Sequence, residues 1–165
     1  MTFPARLPPF ATDLAPFALK GRPLWPVVQG GMGVGVSAHR LAGSVAAQGA
    51  MGTIASVDLR RHHPDLMEES RNGAKAVVDA ANLEALDREI RAAKAIAQGR
   101  GAIAVNVMRA VSEYPAYVRR ACESGADALV VGAGLPLDLP ELAAAWPDVA
   151  LVPILSDARG IALVV

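Results

Sequence analysis

A glycine-rich segment between a predicted strand and a predicted helix is the clearest chemical signal in the sequence. The apolar run Pro26 to Gln29 leads into six residues of which four are glycines, namely Gly30, Gly31, Gly33 and Gly35. Glycine destabilises regular structure and is favoured where the backbone must turn sharply or approach a ligand. Ser37 is a suitable N-cap for a helix from Ala38 to Gln48, with Gly49 at its end. A glycine turn before a helix is typical of sites that bind an anion or a flat polar cofactor.

Small or polar residues also follow the later apolar runs. These ends are Ser56-Val57-Asp58, Asn106-Val107-Met108, Gly132-Ala133-Gly134 and Leu155-Ser156. Asn106 carries an amide that both donates and accepts hydrogen bonds, and a buried amide must be satisfied by a ligand or by neighbouring backbone. Gly132 and Gly134 either leave room for a ligand or form the turn before Pro136.

The titratable residues near these ends give weaker signals. His62 and His63 are adjacent, with no cysteine or carboxylate at ligand spacing, so we expect solvated loop residues and no metal site. His39 is expected at the surface of the first helix, and Asp58 is an isolated carboxylate that could orient a neighbour. Cys122 is expected to pack as a small apolar residue. The sequence contains no Walker loop, nucleophile elbow or dinucleotide fingerprint.

Alternating strands and helices must position these residues. Strands are predicted over 26–29, 51–55, 102–107, 128–131 and 150–155, and helices over 37–48, 83–97, 114–124, 140–146 and from about 157 onward. The connection over 63–82 contains a helical piece over 64–70, and its length fits either a lid or a plain extra helix. Strict alternation with apolar strands predicts a parallel sheet, either doubly wound or closed into a barrel.

The polar strand ends favour the barrel. Every strand of a barrel contributes its carboxyl end to one site, whereas an open sheet concentrates its site at a switch point. A closed barrel needs about 250 residues. We therefore expect a (β/α) TIM-type barrel truncated after about five βα units, as one domain over 1–165 with a proline-rich segment over 1–23. The residues expected to face the barrel interior include Val27, Ile54, Ile103, Val130 and Ile154.

Composition narrows the class of protein. The chain of 165 residues is 53% hydrophobic and 19% charged, which suits buried parallel strands. Zero net charge and the lack of a long basic run make nucleic acid an unexpected partner. The N-terminal segment has no uninterrupted apolar stretch for a signal sequence or membrane span, and one cysteine fits a reducing compartment. We expect a cytoplasmic protein without membrane contact; its oligomeric state is left open.

Several short motifs occur in a specific order along the chain. They are Pro26-Val-Val-Gln-Gly-Gly-Met-Gly33, Leu41-Ala42 with Gly49 and Gly52-Thr53-Ile54, Val105-Asn-Val-Met108, Gly132-Ala-Gly-Leu-Pro136 and Val152-Pro-Ile-Leu-Ser156. Together they resemble the flavin-dependent nitronate monooxygenase family, formerly called 2-nitropropane dioxygenases, and its relative, the flavin-dependent enoyl-acyl-carrier-protein reductase. The resemblance runs from about Leu24 to the last residue and covers the N-terminal part of the family only.

The resemblance implies a TIM barrel that binds FMN and oxidises alkyl nitronates with O2 to a carbonyl compound and nitrite. It also implies that FMN contacts come from the first glycine segment and from two later strand ends, at Gln29, Gly30, Gly31, Met32, Gly33, Asn106, Gly132 and Gly134. Met108 and Ser156 are implied to line the substrate cavity.

Part of the family pattern falls beyond Val165. The family's histidine lies in a glycine-rich segment after strand six, and its loops for the FMN phosphate follow strands seven and eight. No catalytic residue is therefore assigned in this chain, which is expected to be inactive by itself. Two alternatives stay open: an enoyl-thioester reductase that uses NADH, and an inactive half-barrel fragment that binds a ligand weakly or assembles with another chain.

Overall fold

An antiparallel hairpin begins the part of the chain that the computed structural model describes, residues 12–164. Its strands are β1, Phe17–Leu19, and β2, Arg22–Leu24, which pair in the register Phe17 to Leu24. Lys20 and Gly21 turn between them with φ angles of 48° and 77°, and positive φ at both positions suits a two-residue hairpin turn. The sequence predicted only a proline-rich segment here, of which residues 1–11 lie outside the described residues.

Four parallel strands form the main sheet, and their order in the sheet is their order in the chain. These strands are β3, Met51–Ala55; β4, Ala102–Met108; β5, Ala128–Gly132; and β6, Ala150–Pro153. The chain is therefore an α/β fold with a parallel sheet, as predicted. This order is compatible with a section of a TIM-type barrel, and among residues 12–164 the sheet ends at β6.

The predicted first strand is reduced to one parallel bridge, between Val28 and Met51. Two hydrogen bonds flank it: Gln29 N donates to Met51 O at 2.9 Å, and Met51 N donates to Val27 O at 3.1 Å. A longer ladder cannot form because Pro26 has no N–H to donate and the glycine segment begins directly after Gln29.

Within residues 12–164, six α-helices and one short 3₁₀ helix lie between or after the strands β1 to β6. The α-helices are α1, His39–Ala47; α2, Pro64–Ser70; α3, Lys75–Ala97; α4, Tyr114–Glu123; α5, Leu139–Leu142; and α6, Ala158–Val164; the 3₁₀ helix spans Leu59–His62. The helix predicted over 64–70 is confirmed. Helix α3 begins at Lys75, eight residues before its prediction, and its first three residues are exposed. Within the described part of the chain, no helix combines the length and the apolarity needed to cross a bilayer.

The alternation of side chains along the strands creates two separate apolar layers. One layer lies beneath the helices and includes Ile54, Ile103, Val105, Val107, Leu129 and Val131. Ile54 and Ile103 therefore face the helices and not the interior of a barrel. The expectation for these two residues is wrong because neighbouring residues of a strand point to opposite faces, and the prediction chose the wrong one. Val130 does lie on the opposite face, whereas Val27 and Ile154 are 45% and 53% exposed.

The second layer is formed by small strand residues and the hairpin. Met51, Ala102, Ala128 and Ala150, which begin the four strands, lie in one apolar cluster with Leu24, and Phe17 and Leu19 pack against it. Arg22 anchors the hairpin by donating to Asp127 Oδ1 at 3.2 Å and to Gly99 O at 3.0 Å. The hairpin thus covers the amino ends of the strands, and the carboxyl ends are left for a site.

Candidate active site at the carboxyl edge of the sheet

The Gln29 side chain joins the glycine segment to β3. Its Oε1 accepts a hydrogen bond from Thr53 N at 3.0 Å, and its Nε2 donates to Thr53 O at 3.2 Å and to Ser37 Oγ at 2.9 Å. The amide therefore pairs with the backbone of Thr53 as a neighbouring strand would. Because both ends of the amide are occupied, Gln29 supports the loop with its side chain, and because its N–H is bonded to Met51 O it has only its backbone carbonyl to offer a ligand.

Ser37 closes the loop formed by residues 30–36. Its hydroxyl accepts hydrogen bonds from Gln29 Nε2 and Met32 N, each at 2.9 Å, and donates to Gly30 O at 3.3 Å. These three bonds use the full capacity of a hydroxyl, and Ser37 is completely buried. The prediction that Ser37 caps α1 is therefore wrong: the N-cap is Ala38, without a side-chain bond.

The closed loop exposes four of the predicted contact residues on one surface, namely Gly30, Gly31, Met32 and Gly33. Gly31 lies against Asn106: a Cβ on Gly31 would be 2.6 Å from Asn106 Cβ and 3.2 Å from its Oδ1. Gly33 has more room, since its Cβ would meet Val57 at 3.8 Å. The structure thus brings the glycine loop and Asn106 together, as the sequence predicted for the edge of the sheet.

Asn106 is held by one side of its amide. Its Nδ2 donates to Val130 O at 3.1 Å, and within residues 12–164 its Oδ1 accepts no hydrogen bond. Thr53 Oγ1, on the same face of the sheet and two residues before Ala55, the register partner of Asn106, is buried and likewise lacks a partner among the described residues. Thr53 was not predicted as a site residue, although a hydroxyl in an apolar strand was a usable signal. The Asn106 oxygen without a partner therefore lies beside the bare backbone of Gly31.

The remaining predicted residues lie at the ends of β4, β5 and β6. Gly132 is paired in register with Met108. A Cβ on Gly132 would lie 3.2 Å from Ile154 Cδ1, so the Ile154 side chain fills the space next to this glycine. Gly134 has a φ of 136° and lies beside Arg109. A cavity of about 570 Å³ brings Gly134 together with Ser156; its other lining residues include Leu135, Ile154, Asp157 and Arg159. Met108 is half-buried and is not part of that lining.

Two histidines differ from their prediction as solvated or surface residues. Both contact Glu89, a carboxylate that is 1% exposed in the middle of α3. His63 Nε2 lies 3.0 Å from Glu89 Oε1, and His39 Nδ1 lies 2.7 Å from Glu89 Oε2. His62 is exposed, as expected, and it covers Gly35, where a Cβ would collide with its imidazole. The described residues form no cluster of side chains that could hold a metal ion.

The other titratable residues are engaged in structural contacts. Asp58 is not isolated: its carboxylate pairs with Arg61 and, at 3.0 Å, with Arg60 Nε. Burial raises the pKa of Cys122 to about 11, which agrees with the expectation of plain packing. Burial likewise raises the pKa of Tyr114 to about 12, and the nearby Asp138 carboxylate adds to this shift. Cys122 and Tyr114 therefore stay protonated near neutral pH and are poor general bases.

Comparison with known protein families identifies the family of this chain. The sequence model of nitronate monooxygenase matches residues 20–164. The chain belongs to the nitronate monooxygenase family. The match begins at the hairpin turn and includes the glycine loop, all four strands of the sheet and the helices α1 to α6. Membership indicates an oxidoreductase that uses a flavin. A comparison with curated proteins gave no match.

Proposed function

We propose that this chain forms the ring-binding edge of an FMN site in an enzyme that oxidises alkyl nitronates with O2 to a carbonyl compound and nitrite. The observation that carries the proposal is the contact of the bare Gly31 backbone with Asn106, at the carboxyl edge of the sheet, in a member of the nitronate monooxygenase family. Sites of parallel α/β folds lie at this edge.

The described residues fit the flat polar ring of a flavin. Gly30, Gly31 and Gly33 are exposed and carry no side chain, so a planar ring can approach their backbone, and Met32 is exposed beside them. Asn106 Oδ1 accepts no hydrogen bond within residues 12–164 and is available to a polar ligand, whereas Thr53 Oγ1, also without a partner there, is fully buried. A ligand that donates a hydrogen bond to the Asn106 oxygen gains affinity from it.

Each part of the chain has a distinct role in this proposal. The flavin, when bound, supplies the redox chemistry by taking electrons from the substrate and passing them to O2. Asn106 orients the ring edge, and Gln29 and Ser37 hold the glycine loop in shape through hydrogen bonds to each other and to Thr53. The hairpin excludes water from the amino ends of the strands by covering their small apolar residues.

The cavity between the ends of β5 and β6 is proposed as part of the substrate space. It brings together Gly134 and Ser156 beside the exposed apolar side chains Leu135 and Ile154. An alkyl nitronate has an apolar tail and a polar head, and this lining offers both kinds of surface. Met108 and Gly132, which face each other in register, are proposed as the link between this cavity and Asn106. We also propose that the sheet forms one section of a TIM-type barrel.

Turnover by the protein encoded in the complete reading frame tests the activity. The purified protein is loaded with FMN and supplied with an alkyl nitronate, and oxygen uptake and nitrite release are recorded. We expect both, in step with each other. NADH consumption with an enoyl thioester, without nitrite release from the nitronate, would instead identify the reductase alternative.

A further inference from the structure

Glu89 is a buried carboxylate that touches two separate segments of the chain. Its Oε2 accepts a hydrogen bond from His39 N at 2.7 Å and lies 2.7 Å from His39 Nδ1, while its Oε1 lies 3.0 Å from His63 Nε2. Burying a carboxylate is costly unless its oxygens are hydrogen-bonded. In the part of the chain that the structure describes, its polar side-chain partners are these two imidazoles; Oε2 is hydrogen-bonded, whereas Oε1 lies close to His63 Nε2 without the alignment of a hydrogen bond.

The first contact fixes the end of the glycine loop. His39 is the first residue of α1; its N-cap, Ala38, has no polar side chain, and the neighbouring Ser37 hydroxyl is used inside the loop. The first N–H groups of a helix need external acceptors, and a negative charge there is favoured by the helix dipole. Glu89 therefore caps α1 from a different helix and holds the residue that follows the loop.

The second contact fixes the segment that lies over the loop. His63 is the N-cap of α2 and directly follows His62, whose imidazole covers Gly35. By holding His63, Glu89 also sets the position of His62. Glu89 thus contacts both the helix that follows the glycine loop, at His39, and the residue that follows the 3₁₀ helix over Leu59–His62, at His63.

We propose that Glu89 is a positioning residue for the flavin site, because it couples the glycine loop to the segment 57–63 through His39 and His63. Glu89 does not touch the ligand surface itself. The coupling matters for binding because a planar ring needs the exposed backbone at 30–33 to be held before the ligand arrives. This inference rests on the proposed function for its consequence, but the coupling is measurable without a flavin.

The test compares three variants of α3 with the unsubstituted protein. Glu89→Ala removes both contacts. Glu89→Gln keeps one carbonyl oxygen for His39 N and is the conservative rescue. Glu84→Gln is the matched control, since Glu84 lies in the same helix, is 46% exposed at its side chain and pairs with Arg88 at 2.9 Å.

Two quantities are measured: amide hydrogen exchange of the peptides 30–38 and 57–63 without flavin, and the Kd for FMN. We expect Glu89→Ala to speed exchange in both peptides and raise the Kd, each by about tenfold or more, as loss of a hydrogen bond to a charged group implies. Glu89→Gln should give smaller changes in both quantities, and Glu84→Gln none. If Glu89→Ala fails to fold, the same two quantities are compared between Glu89→Gln and Glu84→Gln.

Unchanged exchange in both peptides, together with a general loss of unfolding free energy, would show that Glu89 is only a structural residue and would overturn the inference. Failure of the unsubstituted protein to bind FMN contradicts the proposed function instead. The two failures are therefore distinguishable, because the exchange measurement contains no flavin.

Discussion

The backbone of Gly31 lies so close to the side chain of Asn106 that a Cβ on Gly31 would be 2.6 Å from Asn106 Cβ. Real Cβ atoms do not approach other heavy atoms this closely, so the contact exists only with glycine at this position. Gly31 belongs to the loop before α1 and Asn106 to β4, which are separated by β3 in the sheet. This contact therefore fixes the distance between loop and strand at the proposed site.

Gly31→Ala should lower the free energy of unfolding by about 1–3 kcal/mol, because the added methyl group displaces Asn106 or the loop. Gly33→Ala is the control in the same loop, since its Cβ would make an ordinary contact at 3.8 Å. It should change the stability by less than about 0.5 kcal/mol. Urea unfolding of the flavin-free protein measures both. Equal stability of the two variants would mean that Gly31 is not close to Asn106.

Asn106→Ala should weaken FMN binding by about 1–3 kcal/mol, because it removes the amide oxygen offered to the ring. Ser124→Ala is the control, since it loses a buried hydroxyl that bonds to Asp87 Oδ1 and Arg120 O, each at 2.7 Å, away from the strand ends. Fluorescence titration with FMN gives both Kd values. Equal affinities for the two variants would move the ring contact away from Asn106.

Ser37→Ala should destabilise the protein by about 1–3 kcal/mol, because Gln29 Nε2 and Met32 N lose their buried acceptor. Ser112→Ala provides the comparison: its exposed hydroxyl bonds only to the adjacent Glu113 carboxylate among the described residues. Thermal unfolding of both variants is recorded without ligand. A Ser37 variant as stable as the Ser112 variant would show that the hydroxyl does not hold the loop.

Stability should fall steeply in alkaline solution. Burial raises the pKa of Tyr117 from 10.0 to about 12, with the carboxylates of Asp79 and Asp58 adding to the shift. The folded state thus favours the neutral phenol. Its contribution is complete below pH 10 and is lost as the pH rises toward 12. Unfolding free energies measured from pH 8 to 11.5 should show a shallower decline for Tyr117→Phe. Parallel curves for the two proteins would mean that the phenol titrates normally.

Elements with local signals could be predicted from the sequence. The strand over 51–55 is a short apolar run directly after the turn at Gly49, and α2 begins at Pro64, the position where proline favours a helix start. The ion pairs of Glu84 with Arg88 and of Asp87 with Arg91 follow from their i,i+4 spacing on one helix and are formed at 2.9 and 2.7 Å. These features are determined by residues that are close together in the sequence.

Features that depend on distant residues could not be predicted in the same way. Ser37 has the right type and position for an N-cap, but the loop offers its hydroxyl three partners. Glu89 takes over the capping from a residue 50 positions away. A signal for it was present, since Glu89 lies four residues from both Ala85 and Ala93 and so occupies the apolar face of α3.

The visible absorption spectrum of the protein after incubation with excess FMN and removal of free flavin tests the central claim most directly. The unsubstituted protein should retain a flavin band, and Gly31→Val should retain much less, because its side chain blocks the contact with Asn106 and the approach of the ring. Absence of a flavin band in the unsubstituted protein, or an equal band in Gly31→Val, would contradict the account.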